Sequence, residues 1–231
     1  MPTPNGLFLH EAIMLLALRD EEGTIASGTM YQYAIGAAVL AELLLNERVA
    51  VEASRRRKLV NLLSTTPLGD PLIDECLEKI GRAKRRAALQ TWVSRFAGVK
   101  NLKHRVAQRL CERGILRASE DKILLLFTRK IYPEINAEPE RELIERLRQA
   151  IFTDIEDIDS RTMILISLAK SAGLLKVVFD KKELKSRKAR LERVTKGEIT
   201  GKAAAEAIQA VQAAIMAACI VPAMTAATVS H

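Results

Sequence analysis

The stretch Val99–Leu116, VKNLKHRVAQRLCERGIL, combines helical apolar spacing with a row of basic side chains. Four apolar residues fall on one stripe of a helical wheel and form the predicted core face: Val99, Leu102, Val106 and Leu110. Lys100 and Lys103 lie one turn apart on one shoulder of this stripe, where both ammonium groups can converge on a single phosphate. Arg105 and Arg109 lie on the other shoulder, and we expect them to be solvated.

A β-hairpin is predicted directly after this helix, over Ile115–Lys130. The run Asp121–Lys130, DKILLLFTRK, is the most strand-like in the chain, and the strand-like GILRA precedes it. Between these two runs, Ser119, Glu120 and Asp121 are predicted to form a polar tip. An apolar run within the hairpin includes Leu124, Leu125, Leu126 and Phe127.

Helical periodicity dominates the rest of the sequence. Predicted helices run from Leu9 to a stop at Gly23, from Met30 to Leu45, and as a pair between Asp70 and Gly98 with a break near Gly81. Further helices begin near Glu138 and break at Gly173, and a short strand is predicted at Arg48–Glu52. The run Lys181–Lys196 is part of the most charged segment, and we expect it to be solvated surface or loop. The fold class is therefore mostly α, a single compact multi-helix domain with a projecting β-hairpin and short strands. We expect an N-terminal arm at 1–6, the domain at 7–219 and a tail at 220–231.

The segment Ala207–Ser230 carries no charge and is long enough to cross a bilayer. Alanine is its commonest residue, however, with Gln209 and Gln212 inside it and Pro222 near its end. We interpret it as a buried terminal helix that ends before Pro222, with a membrane span as the alternative.

Composition indicates a soluble protein with an anionic partner. The net charge is +8, with 48% hydrophobic and 28% charged residues, a balance typical of globular proteins. This charge favours either nucleic acid or a lipid surface. Aromatic residues make up only 4%, which argues against broad base-stacking platforms for single strands.

No catalytic, metal or cofactor site is predicted. The three histidines (His10, His104 and His231) fit no nucleophilic arrangement, and no glycine-rich phosphate loop is present. The three cysteines (Cys76, Cys111 and Cys219) are widely spaced and indicate neither zinc nor disulfides, which favours a reducing, cytosolic compartment. The acids Asp70, Asp74 and Glu75 resemble paired catalytic carboxylates, but helix capping explains them more simply.

Two binding classes therefore stay open on residue patterns alone. A helix that ends at Gly114 and is followed by a hairpin is typical of a winged helix, in which Val99–Arg113 would read the major groove. The alternative is a protein that binds anionic lipid through Lys100 and Lys103.

Several segments, taken in order, resemble the Golgi phosphoprotein 3 family of phosphoinositide-binding peripheral membrane proteins. The resemblance covers about Leu7–Ala218, and these segments carry it: LFLHEAIMLLALRDEEG, LAELLLNERVAVE, LGDPLIDECLEKI, QTWVSRFAG, HRVAQRLCERGIL, LLLFTRKIYPEIN, DSRTMILISLAKSAGLLKVVF and AIQAVQAAIMAA. It implies a non-enzymatic adaptor that binds phosphatidylinositol 4-phosphate from the cytosol and self-associates through the hairpin. In eukaryotic members it implies the Golgi cytosolic face, the tails of membrane proteins as clients, and no nucleic acid.

The resemblance also implies a lipid pocket, which this chain keeps only in part. Lys100 and Lys103 match the family's two basic residues. The family's pocket tryptophan and arginine align with Ser27 and Gly36, and no basic residue occurs between Arg19 and Arg48. Only MPTPNG precedes the first matched residue, so we do not expect coat binding through a basic N-terminal arm. These departures suit a prokaryotic or divergent member and put headgroup specificity in doubt.

Overall fold

A central helix, α1 (Leu9–Ala17), organises the fold in the computed structural model, and each of its nine residues is buried. The structure describes residues 6–19, 22–53, 58–123 and 127–196. Helix α1 is mostly apolar and is buried on every side, as expected of a helix that is enclosed by other helices. It packs most extensively against three helices whose bounds follow below, α2, α5 and α7, and also contacts α6 and α8.

Nine further helices lie within the described residues: α2 (Tyr31–Leu45), α3 (Pro71–Gly81), α4 (Leu89–Ala97), α5 (Leu102–Glu112), α6 (Glu138–Phe152), α7 (Ser160–Ser171), α8 (Leu175–Val178), α9 (Lys181–Ser186) and α10 (Lys188–Thr195). The strands form three antiparallel pairs: β1 (Leu18–Arg19) with β2 (Thr24–Ile25), β3 (Val49–Ala53) with β4 (Lys58–Leu62), and β5 (Ser119–Ile123) with β6 (Phe127–Ile131). The predicted mostly α fold class is confirmed.

The predicted end of the first helix at Gly23 is wrong, because α1 stops six residues earlier. Leu18 has extended backbone angles and pairs with Ile25 in the first strand pair. Gly23 has a left-handed φ of 58° and no side chain, so its backbone can lie close to the residues that follow β6. Its carbonyl accepts the Tyr132 N–H at 2.9 Å. This long-range contact replaces the last turns of the predicted helix.

The predicted polar hairpin tip at Ser119–Asp121 is also wrong. These residues form most of β5, where Ser119 lies opposite Ile131 and Asp121 lies opposite Arg129. Both faces of the strand have access to water at Ser119–Asp121. This part of the strand is therefore polar and lacks the usual alternation of polar and apolar residues. The connection between β5 and β6, residues 124–126, lies outside the described residues. Strand β3 agrees with the predicted strand, whereas its partner β4 was not predicted.

Helix α3 begins as predicted. The Asp70 carboxylate accepts the N–H groups of Leu72 at 3.0 Å and Ile73 at 2.9 Å. Asp74 accepts the N–H of Leu68 at 2.7 Å. The interpretation of Asp70 as a helix cap is therefore confirmed. Asp74 instead holds the preceding loop, and Glu75 pairs with Lys79 and Arg105.

The C-terminal segment Ala207–Ser230 lies outside the described residues, as do residues 1–5. The domain boundaries and the buried terminal helix therefore stay predictions. Within the described part of the chain, every helix is too short or too polar to span a bilayer.

Two buried carboxylates hold the N-terminal end of α1. The Glu11 carboxylate, 1% exposed, accepts the Phe8 N–H at 2.8 Å and pairs with Arg113 at 2.6 Å. The fully buried Glu42 of α2 accepts the Leu9 N–H at 2.7 Å and pairs with Arg161 of α7. Because the helix dipole and the free amides favour negative charge here, these two acids join α1 to α2, to α7 and to the residue that follows α5.

Arg161→Met removes the cation that balances a fully buried carboxylate. We expect the free energy of unfolding to fall by about 3–5 kcal/mol, because the remaining charge is left without a partner. Arg141→Met, in the exposed Arg141–Glu138 pair, is the matched control and should cost about 1 kcal/mol or less. Urea denaturation measures both, and equal losses would contradict a structural role for the buried pair.

Candidate functional site

Helix α5 presents its predicted core face to the interior. Its buried apolar residues include Leu102, Val106 and Leu110, and Val99 in the preceding turn is buried as well. The predicted stripe is therefore confirmed, and it fixes which side chains of α5 point outward.

The arginines of the α5 segment are engaged within the protein. Arg105 pairs with Glu75 of α3 at 2.6 Å, and Arg109 pairs with Glu112 at 2.9 Å. The expectation that Arg105 is merely solvated is corrected, since its side chain is 32% exposed and bridges two helices. With Arg113 held by the buried Glu11, this side of α5 is not an open basic face. The winged-helix alternative, which needs free side chains along the helix, is not favoured.

The N-terminal end of α5 differs from the rest of the helix. Asn101 has a left-handed φ of 58° and makes no side-chain cap, and the first turn contains no acid. The positive end of the helix dipole is thus uncompensated by a carboxylate. Lys100 is exposed and Lys103 is half-buried. Among the described residues, neither lysine has an ion-pair partner.

Lys103 lies against the base of the hairpin. Its Nζ is 6.0 Å from the centre of the Tyr132 ring. Burial lowers the pKa of Lys103, and the charge of Arg129 lowers it further. The ammonium is thus partly removed from water and lacks an anionic partner, so a phosphate placed beside it would stabilise the charged form.

The structure places Ser27 and Gly36 at different depths. Ser27 is exposed in the loop between β2 and α2. Gly36 is buried where α2 crosses α4, and a Cβ on it would lie 2.7 Å from the Val93 carbonyl oxygen and 2.8 Å from the Ala97 nitrogen. A larger side chain has no room there in this packing, so the glycine excludes a pocket cation at the position. The nearest large side chains after Ser27, Met30 and Tyr31, are half-buried and pack against the core.

Helix α2, which carries the aligned position Gly36, packs closely against α4. Residues in the second half of α4 contact Gly36 in the first half of α2. Gly36 therefore lies against the helix that ends three residues before Lys100. Sequence analysis aligned these positions but gave no sign of this helix contact.

The hairpin residues Leu124–Leu126 lie outside the described residues, and so does the side chain of Phe127. The role of these four residues in membrane contact or self-association stays a prediction. The predicted hairpin is present, but its predicted strands are wrong. GILRA forms an isolated bridge from Leu116 to Glu134 and no strand, and the run DKILLLFTRK is divided between β5 and β6, with Arg129 paired to Asp121 at 2.8 Å.

The other candidate groups have structural partners. The His10 Nε2 lies 3.6 Å from the buried Asp70 carboxylate. Burial raises the pKa of the Cys76 thiol to about 12, so this cysteine is a poor nucleophile. Cys76 and Cys111 are both free thiols. The part of the chain that the structure describes brings together no group of three or more His, Cys, Asp or Glu residues that could hold a metal ion.

The chain matches the model of a known protein family. Residues 9–211 match the family model described as Golgi phosphoprotein 3 (GPP34). The match covers most of the 231 residues, so the chain belongs to the Golgi phosphoprotein 3 family. The family resemblance that we inferred from the sequence segments and their order along the chain is confirmed.

Gly36→Ala tests the close contact between α2 and α4. We expect a loss of about 1–3 kcal/mol in the free energy of unfolding, because the added Cβ meets backbone atoms that cannot move aside cheaply. Gly81→Ala is the control, since its Cβ would meet only Leu62 at 3.7 Å. Thermal or urea unfolding should show that the control is neutral or stabilised by up to about 1 kcal/mol. A harmless Gly36→Ala would contradict the packing described.

Proposed function

We propose that this protein is a peripheral membrane protein that binds the phosphate of anionic lipids at the N-terminal end of α5. Lys100 and Lys103 supply the cations, and phosphatidylinositol 4-phosphate is the ligand that family membership suggests. The role is that of a non-enzymatic adaptor for membrane proteins, on the cytosolic side of the membrane and at the Golgi in a eukaryotic cell. The observation that carries the proposal is the pairing pattern along α5.

That pattern separates the two ends of the helix. From Arg105 onward, the guanidinium groups of Arg105, Arg109 and Arg113 are neutralised by carboxylates of the same protein. At the N-terminal end, Lys100 and Lys103 keep their charge unpaired beside an uncapped first turn. Helix N-termini bind phosphate through free amides and the dipole, and two lysines at this spacing add charge-assisted contacts.

The pocket is simpler than the one that the family resemblance implies. The exposed Ser27 has no apolar group to insert into lipid, and the buried Gly36 contributes no cation. Each missing charge-assisted contact is worth about 1.5–3 kcal/mol. We therefore propose broad binding of anionic lipid, in which phosphatidylinositol 4-phosphate is one ligand among several with exposed phosphate.

Further partners belong to the same proposal. An adaptor would contact the cytosolic tails of membrane proteins, and the hairpin residues Leu124–Phe127 would support membrane contact or self-association. Family membership suggests these partners. Contact of both regions with the membrane requires that α5 and the hairpin face the bilayer together.

The double variant Lys100→Glu with Lys103→Glu should bind anionic vesicles about tenfold more weakly, or weaker still. Each basic residue near an anionic surface contributes about 1 kcal/mol to binding, and each charge reversal also adds repulsion. The measurement is vesicle co-sedimentation at low salt. Vesicles of neutral phosphatidylcholine are compared with the same lipid containing phosphatidylinositol 4-phosphate or phosphatidylserine.

The matched control is Lys182→Glu with Lys185→Glu, on α9. Both lysines are exposed, have the same spacing as Lys100 and Lys103, and give the same change in net charge. We expect this control to weaken binding by about threefold or less, as distant charges are largely screened. Equal losses in the two double variants would indicate diffuse attraction, and equal sedimentation with neutral and anionic vesicles would overturn lipid binding altogether.

A further inference from the structure

The imidazole of His104 lies among cations at the base of the hairpin. Its Nδ1 is 2.8 Å from the Tyr132 hydroxyl oxygen. Lys103 on the same helix and Lys130 on β6 are close enough for their charges to act on it. Lys130, like Lys103, has no ion-pair partner among the described residues. Three basic groups from two elements therefore meet without a carboxylate in contact with either lysine.

An open cleft of about 620 Å³ adjoins this cluster. It lies between α5 and the hairpin, and Lys130 and Tyr132 line it together with Cys111. Its acidic members are Glu112, which is paired with Arg109 at 2.9 Å, and Glu120, which lies opposite Lys130 in the strand register. The cleft thus has room for a phosphate group next to Lys130. His104 and Lys103 do not line the cleft, and they adjoin it through Lys130 and Tyr132.

The Tyr132 hydroxyl orients the imidazole. When His104 is neutral, this hydroxyl can donate to Nδ1, which leaves the proton on Nε2. When His104 is protonated, Nδ1–H donates to the hydroxyl oxygen and Nε2–H is a second, charged donor. Nε2 has no hydrogen-bond partner among the described residues, so it is available to an anion.

We propose that His104, Lys103 and Lys130 form a phosphate-binding site at the base of the hairpin, and that its occupancy by an anionic lipid headgroup makes membrane binding depend on the protonation of His104. The ligand class is a phosphate oxyanion, whether it belongs to a lipid or is free in solution. The inference rests on the proposed function in one respect, that the N-terminal end of α5 faces the membrane. It adds a second group of contacts on the hairpin side of Lys103.

The sign of the pH dependence follows from the charges around the imidazole. Burial lowers the pKa of His104 below its usual 6.5, and the charges of Lys103 and Lys130 lower it further. Lys100, in the turn before α5, adds a third positive charge nearby in sequence, and Glu120 on β5 is the opposing acid. A phosphate beside Nε2 stabilises the imidazolium and raises its pKa. Binding then takes up a proton between the two pKa values, so affinity rises as pH falls.

The test uses the full-length chain and vesicles of phosphatidylcholine with phosphatidylglycerol, whose headgroup charge is constant between about pH 5.5 and about pH 7.5, a range that spans the titration of histidine. We expect the wild-type protein to bind about fivefold more tightly at the lower pH, the effect of about 1 kcal/mol for one added charge. His104→Gln should lose most of this increase, while His231→Gln, the same chemical change elsewhere in the chain, should keep it. Lys130→Met should weaken binding at both pH values.

The two proposals fail in different ways. If anionic vesicles bind at about pH 7.5 in a manner that needs Lys100 and Lys103, but His104→Gln responds to pH as the wild type does, the further inference is wrong and the proposed function stands. If the wild type binds at neither pH, both are wrong. Imidazole proton NMR adds a readout that does not depend on sedimentation, since the pKa of His104 should rise when vesicles are added. A similar rise with inorganic phosphate alone would support the site and assign it to free phosphate, and no rise with either would overturn it.

Discussion

The N-terminal end of α1 imposes the strongest constraint on this structure, because it collects two buried negative charges in an otherwise apolar interior. Glu11 and Glu42 are 0% exposed as residues, and each must be balanced where it lies, since an unpaired buried charge costs several kcal/mol. Arg113 and Arg161 provide that balance from opposite parts of the sequence. The requirement therefore brings α1, α2, α7 and the end of α5 to one point, and the apolar packing of the helices completes the arrangement.

Ion pairing within the protein also determines which basic side chains of α5 stay available for a partner. Arg113, just beyond the C-terminal end of α5, pairs with the buried Glu11, and Arg105 pairs with Glu75 of α3. What stays available is the opposite end of the helix, with Lys100, Lys103 and, beside the hairpin, His104 and Lys130. A net charge of +8 describes attraction to anionic surfaces in general, and the exposed lysines of α9 contribute to it as well. We propose that the lysines beside the hairpin, which have no ion-pair partner among the described residues, add a more specific attraction there.

Sequence patterns predicted the parts of the fold that are governed by local physics. The core stripe of α5, the Asp70 cap and the break at Gly173 follow from periodicity and from the chemistry of helix ends, which act over a few residues. The end of α1, the strand β4 and the true course of β5 did not follow, because strand pairing and the contact between Gly23 and Tyr132 join distant segments. At the candidate site, the spacing of Lys100 and Lys103 could be predicted from the sequence. The pairing of Arg105 with Glu75 and the close packing at Gly36 could not, since each depends on a partner helix whose position only the fold determines.

Hydrogen–deuterium exchange on vesicles tests the central claim most directly, because it reports on the backbone at the proposed site. The first amides of α5 have no side-chain cap and should exchange rapidly in the free protein. With anionic vesicles we predict slower exchange in the segment from Val99 to Arg105, no change there with neutral vesicles, and no change in either case around Lys182 and Lys185 of α9. Protection confined to α9, or equal protection over the whole surface, would contradict the assignment of lipid binding to the N-terminal end of α5.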